Sequence, residues 1–180
     1  MEDEQDAADV ARVLAGEAQR FEPIVARWQK PVLNLCWRFV RDEGRAEELA
    51  QEAFLKCFRS LGQWRRDARF STWLFSIAIS VCRSHLRRFE PLRDALGAAM
   101  LEELATEPHD ERVAAGQRAE RIRKAVADLP PLYREPLVVY YFHDEDLAST
   151  ARILDVGEGT LKARLHRARE ALRKVLKDLQ

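Results

Sequence analysis

The chain predicts an all-α protein: two small helical domains joined by a linker, the second ending in a helix-turn-helix. Three observations carry this. Leu, Ala, Arg and Glu dominate a 180-residue sequence with only 7 Gly and 7 Pro, so helix breakers are sparse. Apolar residues recur at i, i+3, i+4 and i+7 along most of its length. The stretch from Asp146 to Leu179 divides at Asp155-Val156-Gly157 into a short and a long amphipathic piece, and the longer one carries positive charge outside its apolar stripe. That is the layout of a motif whose second helix enters the DNA major groove.

The elements follow in order. Asp6 to Ala15 reads as a short amphipathic helix with Val10, Val13 and Leu14 inward, ended by Gly16. A helix from about Glu17 to Gln29 meets Pro31, which predicts a break or kink. Val32 to Val40 continues the apolar stripe. Glu43 to Leu61 places Ala46, Leu49, Ala50, Ala53, Phe54, Cys57, Phe58 and Leu61 on one face. Gly62 to Phe70 is a basic, aromatic loop, and Ser71 or Thr72 caps a helix to about Arg88. The acidic segment 91–116, with Pro91, Gly97 and Pro108, reads as a linker between compact parts at 1–90 and 117–180. Helical pattern resumes from Arg118 to Leu129. Pro131 suits the first turn of a helix over 132–142, in which Pro136 is a discordant residue. Asp144 or Asp146 caps the first helix of the terminal pair, and Gly157 the second.

Formal net charge is zero, yet charge is segregated. From Arg59 to Arg88 the cations are Arg59, Arg65, Arg66, Arg69, Arg83, Arg87 and Arg88 against Asp67 alone; from Thr160 to Lys177 they are Lys162, Arg164, Arg167, Arg169, Arg173, Lys174 and Lys177 against Glu170 alone. Phosphates respond to such local fields within a Debye length of ~8–10 Å.

In the terminal pair, Ala148, Ala151, Ile153 and Leu154 face inward from the first helix, and Val156 plugs the turn. Asp155 tolerates the left-handed conformation there. Thr160 opens the second helix, whose stripe is Leu161, Leu165, Ala168 and Leu172. Lys162, Arg164, Arg167 and Arg169 lie outside that stripe and can reach base edges or phosphates, since arginine can pair two hydrogen bonds with guanine. His166 reads equally as a base contact or a surface residue. Upstream, Arg65, Arg66 and Arg69 interleave with Trp64, Phe70 and Trp73. Cations hold a phosphate backbone while aromatic faces stack on exposed bases, worth ~1–3 kcal/mol per base. Phe70, Trp73, Leu74 and Phe75 read better as core, leaving Trp64 and the loop arginines as surface contacts.

Cys36, Cys57 and Cys82 lie among apolar residues with no C-x-x-C and no zinc spacing, so they read as buried reduced thiols. The acidic N-terminus lacks the apolar core of a signal peptide, and no apolar run approaches the ~20 residues of a membrane span. A cytoplasmic protein without membrane insertion, cofactor or metal is expected.

These segments together resemble a family. AEELAQEAFLKCF, then WRRDARFSTWLFSIA, then LPPLYREPLVVYYF and DVGEGTLKARLHRAREAL are similar, in order and spacing from about Phe21 onward, to the extracytoplasmic-function sigma factors of bacterial RNA polymerase. The resemblance implies regions 2 and 4 of that family and, as partners, promoter DNA, core RNA polymerase (β′ clamp and β subunit) and an anti-sigma protein. It implies that Glu47, Glu48, Gln51 and Glu52 dock on the β′ clamp helices. It implies that the loop with Trp64, Arg65, Arg66 and Arg69, and the following helix with Ser80 and Arg83, capture a melted −10 strand. Thr160, Lys162, Arg164, His166 and Arg167 would read the −35 duplex, and the acidic linker would pass the RNA exit channel. The chain departs from the family at Ser80, where Asn is common, at Thr150, where an apolar residue is usual, and in the acidic run Asp144-Glu145-Asp146.

Two other classes are weighed. A helix-turn-helix regulator with an N-terminal sensing domain would bind operators without polymerase. An enzyme would need a P-loop, a dinucleotide glycine pattern, a nucleophile elbow or a metal cluster, and the sequence has none.

Overall fold

The computed structural model describes residues 2–100, 124–126, 128–142 and 146–177. Among them all regular structure is helical: α1 (Glu2–Leu14), α2 (Phe21–Val40), α3 (Glu43–Ser60), α4 (Phe70–Met100), α5 (Pro131–Phe142), α6 (Leu147–Leu154) and α7 (Glu158–Lys177), with 3-10 turns at Ala18–Arg20 and Leu61–Gln63.

α1 ends as its glycine dictates, with Gly16 at φ +104°. Its inner face differs from the sequence pattern: Val10 is buried, but Leu14 is 58% exposed and Asp6 is fully buried. The buried carboxylate is satisfied by α2, where Trp28 Nε1 donates to both its oxygens (3.1 and 3.2 Å) and Arg27 pairs with it. Arg27 also pairs with Asp9 at 3.0 Å.

α2 runs unbroken through Pro31, against the expected break. Proline removes one intrahelical bond, but Ile24, Val32, Leu35, Cys36 and Phe39 on either side of it are buried along one face. Burial of about 1.5–3 kcal/mol per large side chain outweighs the lost bond. The helix stops at Arg41, which is left-handed (φ 58°) and donates its N–H to the Trp37 carbonyl at 2.8 Å. One residue later Asp42 caps α3 by accepting from Arg45 N–H at 2.7 Å.

α3 buries Ala46, Leu49, Ala50, Ala53 and Cys57; Phe58, assigned to that face by periodicity, is 41% exposed and packs edge-on against Phe21. α4 is the central rod. Phe70, Leu74, Phe75, Ala78, Ile79, Val81 and Cys82 are all buried, too many for one stripe, because α4 packs against α2 and α3 on one side and α6 on another. Ser71 and Thr72 lie inside its first turn and are buried; Trp73 N–H bonds back to the Arg69 carbonyl, so the helix starts earlier than a Ser or Thr cap requires. It also continues through Pro91 to Met100, past the end expected near Arg88, along a sequence rich in Leu, Ala and Arg that favours helix. The segment 91–116, expected as a linker, therefore includes ten helical residues, and its remainder lies outside the described residues, as do Arg118 and Asp144.

In the C-terminal part α5 begins at Pro131 and tolerates Pro136, with Leu137, Val138 and Val139 buried. α6 and α7 pack on it and on each other.

Candidate nucleic-acid interface

The helix-turn-helix is built by local chemistry. Asp146, extended at φ −67°, ψ 170°, accepts the Ser149 N–H at 2.7 Å and starts α6. That hydrogen bond holds the Asp146 carboxyl below its ordinary value. Asp155 ends the helix in the left-handed region (φ 55°, ψ 53°), and the N–H groups of Asp155 and Val156 return to the carbonyls of Arg152 and Ala151. Val156 packs against the core between the two helices. α7 then starts at Glu158, two residues before Thr160.

Leu161, Leu165 and Ala168 form the buried stripe of α7. Thr160, Lys162, His166 and Arg167 are exposed, and Arg164 is half-buried at the stripe's edge. Two further cations of α7 have partners within the chain. Arg169 donates to Tyr141 Oη at 2.8 Å and lies over its ring, and Arg173 pairs with Glu170. Thr150 is fully buried, and its hydroxyl has no hydrogen-bond partner.

The upstream residues divide into three places. Trp64 is part of the loop's own framework: its Nε1 donates to the Ala68 carbonyl at 3.1 Å, and its ring meets Phe70 edge-on at 5.2 Å. Arg66, left-handed at φ 61°, lies over that ring and donates to the Ala7 carbonyl at 3.3 Å. Arg69 pairs with Asp3 at 3.4 Å, and Arg65 is exposed. Trp64, Arg66 and Arg69, with Asp3 of α1 and Ser149 and Arg152 of α6, line a cleft of about 430 Å³.

Ser80 lies apart from the loop. It lines an open cleft of about 530 Å³ between α3 and α4 together with Lys56, Arg59, Ser60, Gln63, Ser76 and Ile77. Ser60 and Ser76 give their hydroxyl protons to the carbonyls of Lys56 and Trp73, so their oxygens remain acceptors. Two cations, an amide and three hydroxyls around one apolar side chain can grip a phosphate and read a base edge. Lys56 and Gln63 carry no expectation in the sequence analysis, and Arg59 is noted there only as part of the basic stretch from Arg59 to Arg88. Their spacing of three and four residues, along the end of α3 and the 3-10 turn that follows it, was the available signal.

Arg83 points elsewhere. Its Nε and Nη2 donate to Glu135 Oε2 at 3.1 and 2.6 Å, and its guanidinium reaches the Leu154 carbonyl at 3.4–3.5 Å.

On α3, Glu47, Glu48, Gln51 and Glu52 are all exposed; Glu48 pairs with Arg45 and Glu52 with Lys56 at 2.9 Å. Beside them Leu55 is 56% exposed. Leu55 lies four residues from Gln51 and three from Phe58, so this acidic face carries an apolar strip that the sequence reading did not single out.

Among the described residues no helix is long and apolar enough to cross a membrane, and no cluster of His, Cys, Asp and Glu could hold a metal. Comparison with known proteins gives two family matches: Sigma-70 region 2 over residues 24–90 and Sigma-70, region 4 over residues 119–172. The RNA polymerase sigma-H factor of Pseudomonas aeruginosa is 32% identical over 98% of this chain and 96% of its own length. The chain belongs to the extracytoplasmic-function sigma factors. As a sigma factor it directs transcription initiation by RNA polymerase at promoters. The ECF sigma factor SigW of Bacillus subtilis is 30% identical over 94% of this chain and 96% of its own. In fold, the sigma factor resembles CnrH, solved in complex with the cytosolic domain of CnrY, at a TM-score of 0.72 over 97% of this chain and 98% of that one, with 22% identity. RpoE of Bartonella quintana, solved with the anti-sigma factor NepR, gives 0.67 over 87% and 96%, with 21% identity.

Proposed function

We propose that this sigma factor divides promoter recognition between two surfaces and polymerase docking onto a third. The region 2-like domain spans 1–90, the linker 91–116 and the region 4-like domain 117–180. The exposed face of α7 reads the −35 duplex through Thr160, Lys162, Arg164, His166 and Arg167. The observation that carries this is the sorting of α7 into a buried Leu161–Leu165–Ala168 stripe and an exposed cationic face, opened by a capped α6 and a left-handed Asp155.

The melted −10 strand runs across the start of α4. Ser80, with Lys56, Arg59 and Gln63, takes an unstacked base and its phosphate, and the Trp64–Arg69 loop holds the backbone alongside. A serine in this position offers one hydroxyl where an amide would offer both a donor and an acceptor, so the cleft reads that base by fewer bonds. The α3 face with Glu47, Glu48, Gln51, Glu52, Leu55 and Phe58 docks on the polymerase β′ clamp. The protein has no catalysis of its own, works in the cytoplasm and is held in check by an anti-sigma protein, a reading supported by the fold it shares with RpoE, solved with the anti-sigma factor NepR.

Run-off transcription with sigma-free core polymerase tests this. Wild type confers promoter-selective RNA synthesis; Arg164→Ala loses most synthesis from a −35-dependent promoter while still binding core polymerase. Equal synthesis by both proteins on that promoter overturns the −35 assignment, and absence of selective synthesis by wild type overturns the whole reading.

A further inference from the structure

α1 lies outside both matched regions, the first of which begins at residue 24, and it makes contacts that packing on the core does not require. One face of the helix is anchored to α2: Asp6 is fully buried against Trp28 and Arg27, and Asp9 pairs with Arg27 at 3.0 Å. The adjoining face carries Asp3, Ala7 and Leu14. At about 100° per residue these three point within about 40° of one another, on a strip about 16 Å long. Each meets the basic loop at a different place. Leu14 Cδ2 comes within 3.8 Å of the position a Cβ would take on Gly62, at the loop's start. The Ala7 carbonyl accepts from Arg66 Nη2 at 3.3 Å, in its middle. Asp3 Oδ2 pairs with Arg69 Nε at 3.4 Å, near its end. Leu14 is 58% exposed because it reaches along the loop rather than into the core.

The loop has a backbone that needs such support. Arg66 is left-handed at φ 61°. For a residue with a side chain this conformation brings Cβ against the following carbonyl oxygen, and it persists only where the surroundings fix it. Here the guanidinium lies over the Trp64 ring at 5.7 Å while its Nη2 is held by α1. Trp64 is itself fixed by the Ala68 carbonyl and the Phe70 ring. The left-handed residue turns the chain, so it sets the directions in which Arg65 and Arg69 leave the loop. A cation already presented in its working direction loses less freedom when it takes a phosphate.

We propose that α1 is a positioning element for strand capture: its Asp3–Ala7–Leu14 face holds the 62–69 loop in the left-handed turn at Arg66, so that the loop cations are arrayed before the melted strand arrives. The link to strand capture rests on the −10 reading above; the bracing of the loop does not. Positioning and bulk charge give opposite signs at Asp3. It is an anion beside a phosphate-binding loop, so by charge alone its loss tightens the hold on DNA. As part of a brace, its loss weakens that hold.

The test uses the full chain assembled with core polymerase. Asp3→Ala with Leu14→Ser removes two contacts at exposed positions and leaves the Asp6 anchor and every loop cation in place. Hydrogen exchange of the backbone amides of 64–69, read by mass spectrometry, becomes about ten-fold faster. Permanganate-reactive thymines in the −10 element of a promoter the protein transcribes appear about five-fold more slowly, because the competent loop is populated less. Binding to core polymerase is unchanged. Asp3→Glu with Leu14→Met keeps a carboxylate and an apolar reach, and returns both readings to wild type. Loop exchange equal to wild type in the Asp3→Ala, Leu14→Ser protein, or faster strand opening by it, overturns the positioning role. Arg65→Ala, which leaves the α1 contacts alone, separates this from the −10 reading. Slower opening by Arg65→Ala but not by the α1 variant overturns positioning and keeps the −10 reading. If neither slows opening, the −10 reading falls and the strand-capture role falls with it, while faster loop exchange in the α1 variant sustains the brace.

Discussion

Trp28 donates its indole N–H to both carboxylate oxygens of Asp6, at 3.1 and 3.2 Å, and so fixes the acidic first helix onto the second. The carboxylate is fully buried, with Arg27 as its other partner. Asp6→Ala leaves the indole donor without an acceptor and Arg27 with Asp9 alone. We expect it to lower unfolding stability by about 2–3 kcal/mol, below the range for a fully buried pair because Arg27 keeps one carboxylate. Urea denaturation of wild type and variant measures this.

Thr150 tests the opposite case. Its buried hydroxyl has no hydrogen-bond partner, so the native state carries an uncompensated polar group. Thr150→Val keeps the branched shape and removes the oxygen. It should raise stability by about 1 kcal/mol, read as an upward shift of the melting temperature. A fall instead would show that the hydroxyl has a bound partner such as an ordered water.

Asp6 and Asp146 have opposite pH signatures. Burial, opposed by Trp28 and Arg27, raises the Asp6 carboxyl above 3.8; the folded state holds this proton more tightly than the unfolded chain, so its contribution to stability falls as pH rises from 3.8 through the raised value. The Ser149 N–H lowers the Asp146 carboxyl. Its contribution is complete above 3.8 and is lost as pH falls through the depressed value. Asp146→Asn keeps a capping oxygen and abolishes that acid-limb loss, so the wild-type advantage over Asp146→Asn shrinks below pH 3.8. Asp146→Ala loses about 1 kcal/mol at neutral pH. Thermal melts across acid pH measure both.

The three thiols should be silent in the native state. Cys36, Cys57 and Cys82 are free and buried. Burial, with the Asp6 carboxylate adding to it, pushes the Cys57 thiol up to about 12. The hydrogen bond to Cys36, then burial, raises Cys82 as well. Since only the thiolate reacts, a disulfide reagent at pH 8 should label none of the three at a rate comparable to the unfolded chain, where all react. One fast thiol in folded protein would show local opening of the α2–α4 packing.

Leu55 is the sharpest probe of polymerase docking. It is exposed, so Leu55→Glu should change stability by no more than about 0.5 kcal/mol. At the centre of an interface the same change costs about 2 kcal/mol, or roughly 30-fold in affinity. Fluorescence anisotropy against core polymerase reads the loss. An unchanged affinity would move the docking site off this strip.

The helices were legible wherever one face alone is buried. The Asp146 cap, the left-handed Asp155 and the Leu161–Leu165–Ala168 stripe follow from local chemistry, and each is where periodicity and cap preference put it. Pro31 and Phe58 mark the limit. Whether a proline breaks a helix depends on how strongly neighbouring turns are buried, and whether an apolar residue faces the core depends on where a partner helix ends. Neither is a local property. The site behaved in the same way. That Lys162 and Arg167 are exposed on α7 follows from helical spacing, whereas the separation of Ser80 from Arg66 and Arg69 does not. Nor does the diversion of Arg83 to a glutamate 52 residues away.

α4 carries the cleft residue Ser80 and the Glu135-bound Arg83 on one helix. Ser80 and Arg83 are three residues apart, so ~4.5 Å of rise and ~60° of rotation separate them on one rigid rod. A substitution that tilts the rod to accept another base at Ser80 also carries Arg83 away from Glu135. A change at either residue is therefore felt at the other, and substitutions along this stretch of α4 should be accompanied by compensating changes on α5.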